Sequence, residues 1–199
     1  YIVEGDLVYV IADDKCLVLD AETGENKKII QMYSKSKEKA QWAYIGVYKD
    51  YLIGGCQFAT YSKDAGAKKI NTWVKNVDLS GCNELVVFNR HTGEELWRVN
   101  SNYSFIHNGI VVGNDKVFCL DRLPASYEAK LKRHGKTLPD QYNIICFDIK
   151  NGKKLWVETK NIIGSFMSYS SEHDILLQAG ASGRDRSKEE TKKGMIAYK

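Results

Sequence analysis

One phrase recurs along the chain and constrains its fold more than any other feature. Cys16-Leu17-Val18-Leu19-Asp20-Ala21-Glu22-Thr23-Gly24 aligns with Leu85-Val86-Val87-Phe88-Asn89-Arg90-His91-Thr92-Gly93 and with Ile144-Ile145-Cys146-Phe147-Asp148-Ile149-Lys150-Asn151-Gly152. Met195-Ile196-Ala197-Tyr198-Lys199 repeats its opening. In the three full copies an Asp or Asn stands four positions before a Gly. That spacing predicts a hairpin turn, because an Asx side chain accepts from backbone N–H groups within the turn and Gly takes the left-handed φ that closes it. A second phrase precedes each copy: Asp6-Leu7-Val8, Asp50-Tyr51-Leu52, Asp115-Lys116-Val117 and Asp174-Ile175-Leu176 each put a turn residue before a short apolar run. A third is Leu96-Trp97 and Leu155-Trp156, each Trp four residues after its turn Gly, with Lys28 at that position in the first copy.

Between these landmarks the chain reads as β-branched and aromatic runs bounded by Gly, Asn and Asp, with little helical periodicity outside the longer insertions. Each repeat is therefore read as four strands. A four-stranded unit of this kind cannot bury both faces alone, so neighbouring units must stack. The composition agrees with a packed domain: of 199 residues, 43% are hydrophobic and 27% charged. No apolar run approaches the roughly 18 residues of a membrane-spanning helix.

Asp20-x-x-Thr23-Gly24, Asn89-x-x-Thr92-Gly93-x-x-x-Trp97 and Asp148-x-x-Asn151-Gly152-x-x-x-Trp156 resemble the tryptophan-docking repeat of the PQQ-like β-propellers. That group includes the quinoprotein alcohol dehydrogenases and the propeller lipoprotein of the outer-membrane β-barrel assembly machinery. The resemblance implies an all-β propeller of four-stranded antiparallel blades, at about residues 1–40, 41–103, 104–163 and an incomplete 164–199. It implies a segment of a longer propeller whose remaining blades lie in the same parent chain. It also implies that Trp97 and Trp156 pack blade against blade, and that placement is periplasmic or at the cell surface. The quinoprotein enzymes would bring pyrroloquinoline quinone and calcium, held by a vicinal Cys-Cys pair, a Trp floor and a carboxylate and amide set; no two cysteines are adjacent here.

Insertions are the most individual feature. The first repeat turns directly at Ala12-Asp13-Asp14, whereas the others insert residues 59–82, 122–143 and 180–194 at the same junction. In a propeller these loops emerge on one face, together with connections such as residues 31–42. The four segments hold 17 Lys and Arg against 8 Asp and Glu, a surplus of +9 that leaves −5 for the rest of a chain whose net charge is +4. The expectation is a loop-bearing face that attracts anions, with Lys68, Lys69, Lys130, Lys132, Arg133, Arg184 and Arg186 as candidate contacts and Trp73 as an exposed anchor. The alternative is a merely solvated, charge-rich surface. The basic clusters are interleaved with acids, and the stacking surfaces offered beside them are few, Trp42, Tyr61, Trp73 and Tyr127 among them, which argues against nucleic acid as the partner.

Nucleophile elbows, phosphate loops and zinc-protease helices are missing from the sequence, and His91, His107, His134 and His173 share no ligand spacing. Aligning the second repeat on the first puts Cys56 and Cys82 on facing positions at the neck of the first insertion, where a disulfide would staple the loop; two reduced thiols are the alternative. Cys16, Cys119 and Cys146 read as small core hydrophobes. The reading is a non-enzymatic propeller scaffold, without a cofactor, that binds a protein or other anionic surface through its insertion face. Part of a PQQ-dependent dehydrogenase, and a propeller appended to an enzyme, are the alternatives.

Overall fold

The computed structural model describes residues 1–60, 77–180 and 194–199. Strands dominate it. A four-stranded antiparallel sheet holds β1 (Ile2–Glu4), β2 (Leu7–Ala12), β3 (Lys15–Asp20) and β4 (Asn26–Gln31) in sequence order. Then come β5 (Trp42–Tyr48), β6 (Tyr51–Thr60), β7 (Val77–Asn89), β8 (Glu95–Gly113), β9 (Lys116–Asp121), helix α1 (Ala125–Arg133), β10 (Asn143–Asp148) and β11 (Lys154–Glu158). β5 to β11 form one continuous ladder of seven strands. The last sheet has three strands, β12 (Phe166–Ser170), β13 (Ile175–Gly180) and β14 (Gly194–Tyr198).

The second and third repeats share one sheet because β8 crosses between them without a break. Its first part pairs with β7 through Val99↔Leu85 and Trp97↔Val87. Its last part pairs with β9 through Ile110↔Cys119 and Val112↔Val117. The crossing is held by Asp121, whose buried carboxylate accepts the Asn102 and Tyr103 amides at 2.8 and 2.9 Å. Burial raises the pKa of this carboxyl above the ordinary value, against the pull of those amide hydrogen bonds.

Three hydrophobic cores lie between successive repeats. Tyr9, Cys16, Val18 and Ile30 face Trp42, Leu52, Val86 and Phe88. Ile53, Leu85, Val87 and Trp97 face Val117, Cys119, Ile145 and Phe147. Phe118, Leu120, Ile144 and Cys146 face Met167 and Leu176. Successive side chains of a strand point to opposite faces, so Leu85 and Val87 serve the joint to the third repeat while Val86 and Phe88 serve the joint to the first. This two-sided burial is why the middle repeats read as unbroken apolar runs instead of an apolar and polar alternation. Trp42, offered by the sequence as a stacking surface, is instead 1% exposed and stacked on Phe88, ring centroids 5.3 Å apart.

The repeated turns form as their chemistry predicts. Gly24, Gly93 and Gly152 have φ of +72°, +80° and +69°, and each amide donates to the carbonyl of Asp20, Asn89 or Asp148. Asp20 Oδ1 accepts the Glu22 and Thr23 amides, Asn89 Oδ1 those of His91 and Thr92, and Asp148 Oδ1 that of Lys150. The second phrase closes the same structure. The carbonyls of Asp6, Asp50 and Asp115 accept the amides of Ala21, Arg90 and Ile149, the residues directly after each Asx.

Candidate functional site

The joints account for most of the singled-out residues. Trp97 lies in β8, and its Nε1 donates to the Ile149 carbonyl in the next repeat at 2.6 Å while its ring packs near Phe147. The ring covers Gly152 so closely that a Cβ there would meet it at 2.7 Å. Lys28, which replaces Trp in the first repeat, makes the analogous reach: its Nζ donates to the His91 carbonyl in the following turn. Trp156 is half-buried, its ring 5.8 Å from Phe118. Ion pairs cross between repeats at the same ends of the strands, Lys49 to Asp115 at 2.7 Å and Lys116 to Asp174 at 2.7 Å. Asp20, Gly24, Asn89, Gly93, Trp97, Asp148 and Gly152 are thus turn and joint residues.

A different chemistry appears in the insertion of the third repeat. Ala125–Arg133 supplies mostly straight-chain helix formers, and residues 125–133 fold into α1 with Glu128 in its first turn and Lys130, Lys132 and Arg133 in its last, complementing the helix dipole. The helix stops in a Schellman turn: the Gly135 amide, at φ +63°, donates to Lys132 and the Lys136 amide to Leu131. Beneath it lies Arg122, only 6% exposed. Its guanidinium donates to Leu123 O at 3.2 Å, Gly164 O at 2.8 Å and Glu128 Oε1 at 2.8 Å, and sits 5.0 Å from the Tyr142 ring centre. Each of the three Arg122 guanidinium nitrogens thus donates once, and the side chain ties the helix to the segment entering the last sheet.

Next to this arginine is a cavity of about 270 Å³, lined by Arg122, Glu128, Lys132, Asp140, Tyr142 and Asn161 among others. The Tyr142 hydroxyl is buried beside the Glu128 carboxylate. Burial first, and then its hydrogen bond to the Glu128 carboxylate, push its pKa far up, so it stays a neutral donor. Lys132 and Arg133 are exposed and Lys130 half-buried. Among the described residues none of these three, nor Lys136, forms an ion pair. Lys68, Lys69, Trp73, Arg184 and Arg186 lie outside the described residues. Arg122 and Tyr142 were not singled out by the sequence; the one available signal was the charged pair Asp121-Arg122 following directly on the apolar run Val117-Phe118-Cys119-Leu120.

The cysteine alignment needs correction. Cys56 lies opposite Glu84, and Cys82 opposite Phe58, so the two do not face each other in the ladder. β6 and β7 stay paired out to Thr60 and Val77 past a bulge at Phe58/Ala59, which moves the neck of the insertion beyond both thiols. All five cysteines are free and buried.

The fit of a quinone and calcium can be tested on the donors present. Among the described residues no group of three or more His, Cys, Asp and Glu is placed to hold a metal ion, and the thiols are dispersed through the cores. These residues do not fit that cofactor.

No family model matches the chain, and neither does any curated protein. Solved structures do. A europium-containing methanol dehydrogenase superposes with a TM-score of 0.55 over 89% of this chain and 34% of its own, at 11% identity. A quinohemoprotein alcohol dehydrogenase from Pseudomonas putida HK5 gives 0.54 over 88% of this chain and 27% of its own, at 14% identity. The WD40 domain of Toxoplasma gondii coronin gives 0.51 over 88% and 37%, at 11% identity. The chain thus spans about a third of the methanol dehydrogenase and less of the alcohol dehydrogenase. The likeness establishes the fold: a β-propeller arrangement, all-β with antiparallel sheets, of the kind seen in these dehydrogenases and in the WD40 domain.

Proposed function

We propose that this propeller segment is a non-enzymatic docking scaffold, and that its working surface is the side bearing the insertions. The observation that carries the reading is α1, where Lys130, Lys132 and Arg133 crowd one helix end without ion-pair partners among the described residues. Elsewhere the charged residues named above are spent on holding repeats together, as Lys49 and Lys116 are. Unpaired cations cost little in water and attract acidic surfaces at long range, an effect that salt screens.

The partner on this reading is a protein with an acidic surface. Charge reversal at Lys68, Lys69, Arg133 and Arg184 in the intact protein should lower recovery of cross-linked partners from its own host. Unchanged yields would remove the insertion side from the argument.

A quinone-dependent dehydrogenase is the second reading, and its support is the fold likeness to the two dehydrogenases. Calorimetric titration of pyrroloquinoline quinone with and without calcium tests it. Stoichiometric, calcium-dependent binding would displace the scaffold reading.

A further inference from the structure

The cavity beside Arg122 is lined by both signs of charge in equal number, Arg122 and Lys132 against Glu128 and Asp140. Its floor is satisfied from within: Arg122 donates to Glu128 at 2.8 Å, and the same carboxylate takes the Tyr142 hydroxyl. The rim is not. Lys132 and Asp140 form no ion pair among the described residues. Gln141, Thr159 and Asn161 are exposed there, and their side chains make no hydrogen bond to another described residue. Pro139 and Ile163 supply apolar wall.

This lining selects a ligand class by elimination. An anion drawn to Lys132 also meets Asp140, and a cation drawn to Asp140 also meets Lys132, so neither sign gains much net attraction. A wholly apolar molecule would strip water from the rim amides and hydroxyls and return nothing in exchange. What fits is a neutral molecule that donates and accepts as water does, with C–H surface for the apolar wall. Hydroxyl groups meet that demand, since each donates once and accepts twice. The volume of about 270 Å³ has room for roughly nine waters, the scale of one hydroxyl-bearing ring.

We propose that this cavity binds a neutral sugar unit. Asp140 accepts from its hydroxyls, Lys132 donates to them, and Gln141, Thr159 and Asn161 do both, while a C–H face of the ring lies on Pro139 and Ile163. Arg122 and Glu128 are positioning residues that hold α1 over the site. The assignment goes beyond the scaffold reading and is independent of it, because it asks for no acidic partner and makes no use of Lys130 or Arg133.

The test is saturation-transfer difference NMR of glucose, galactose and mannose with the intact protein, followed by titration of the sugar that gives the largest effect. At least one should bind, and glucuronate and glucosamine should bind no better than it does. Thr159→Val and Gln141→Leu each remove an exposed polar group and should weaken binding about 2- to 10-fold, the range of one hydrogen bond, with the thermal midpoint unchanged. Lys130→Glu/Arg133→Glu should keep the sugar while losing an acidic protein partner, so the two readings fail separately. No effect from any of the three sugars would overturn the proposal. Tighter binding of glucuronate or glucosamine would overturn the neutral assignment, and wild-type affinity in both Thr159→Val and Gln141→Leu would move the sugar away from this cavity. A disaccharide of the bound sugar that binds more tightly than the free unit identifies a glycan as its source, and equal binding identifies the free sugar.

Discussion

Trp97 Nε1 donates to the Ile149 carbonyl at 2.6 Å, and the same indole covers Gly152 three residues further on. One side chain of the second repeat thereby reads both the backbone and the missing Cβ of the third repeat's turn. Removing it takes away a buried aromatic ring and a hydrogen bond together. Trp97→Ala should destabilise by about 3–5 kcal/mol, measured as the shift in urea midpoint. Gly152→Ala should also destabilise, since Ala is strained at φ +69° and its Cβ would strike the indole. If the two residues act as one joint, the double variant loses less than the sum of the singles. Strict additivity would mean they do not.

Lys28 offers a control at the equivalent position. It is half-buried and reaches the His91 carbonyl with a flexible, hydrated amine. Lys28→Met should change stability by no more than about 1 kcal/mol, far less than Trp97→Ala. A loss as large as that of Trp97 would show the lysine to be a full substitute for the ring.

The turns were legible because their chemistry is local: Asp20, Asn89 and Asp148 hydrogen-bond within three residues of themselves. The joints were legible through Trp97 and the apolar runs, whose period-two pattern on two buried faces leaves no polar gaps. Arg122 was not, because its decisive partner Gly164 lies 42 residues away. α1 escaped notice because nine residues of mostly polar helix leave little periodicity. The Cys56 and Cys82 pairing failed for a third reason. β6 and β7 keep one register past the point where the first repeat turns, so the position of a turn residue there, taken by Cys82, lies along the ladder opposite Phe58 and not across from Cys56.

The five thiols should be silent in the native protein. Burial pushes Cys16 and Cys146 up to about 12 and Cys56 to about 11, and raises Cys82 and Cys119 further. The thiolate is the reactive form. Iodoacetamide at about pH 8, near the ordinary thiol pKa, should label none of them natively and all five after denaturation, read by intact mass. A native protein lacking two labels even after denaturation would restore the disulfide.

Acid should act on the joints through Asp115 and Asp174. Hydrogen bonds from Lys49 and Lys116 hold their folded pKa values below 3.8. A lowered folded value means that these groups add stability above 3.8 and lose it as the pH falls through the lower native values. Asp121 has the opposite sign, because its raised value makes ionisation unfavourable in the fold and costs stability as the pH rises from 3.8. The thermal midpoint followed from about pH 6 to about pH 3 should therefore fall less steeply in Asp115→Asn and Asp174→Asn than in wild type. Parallel curves would remove both pairs from the account of acid stability.

Arg122 separates structure from binding within one insertion. Its replacement by Met leaves Glu128 a partly buried charge without its guanidinium and frees the Gly164 carbonyl of one donor. Breaking a buried pair from one side costs about 3–5 kcal/mol, so Arg122→Met should lower the denaturant midpoint sharply, and Arg122→Met/Glu128→Gln should recover part of the loss. Lys130→Glu and Arg133→Glu alter no ion pair among the described residues and, losing only a favourable helix-end charge, should each cost about 1 kcal/mol or less. The distinction matters for any partner, since a binding defect in the Arg122 variant would report a helix that had come loose, whereas one in the surface variants would report lost contacts. Should Arg122→Met prove as stable as wild type, α1 is held by its own propensity and its Schellman turn, and the arginine is not the post on which the insertion stands.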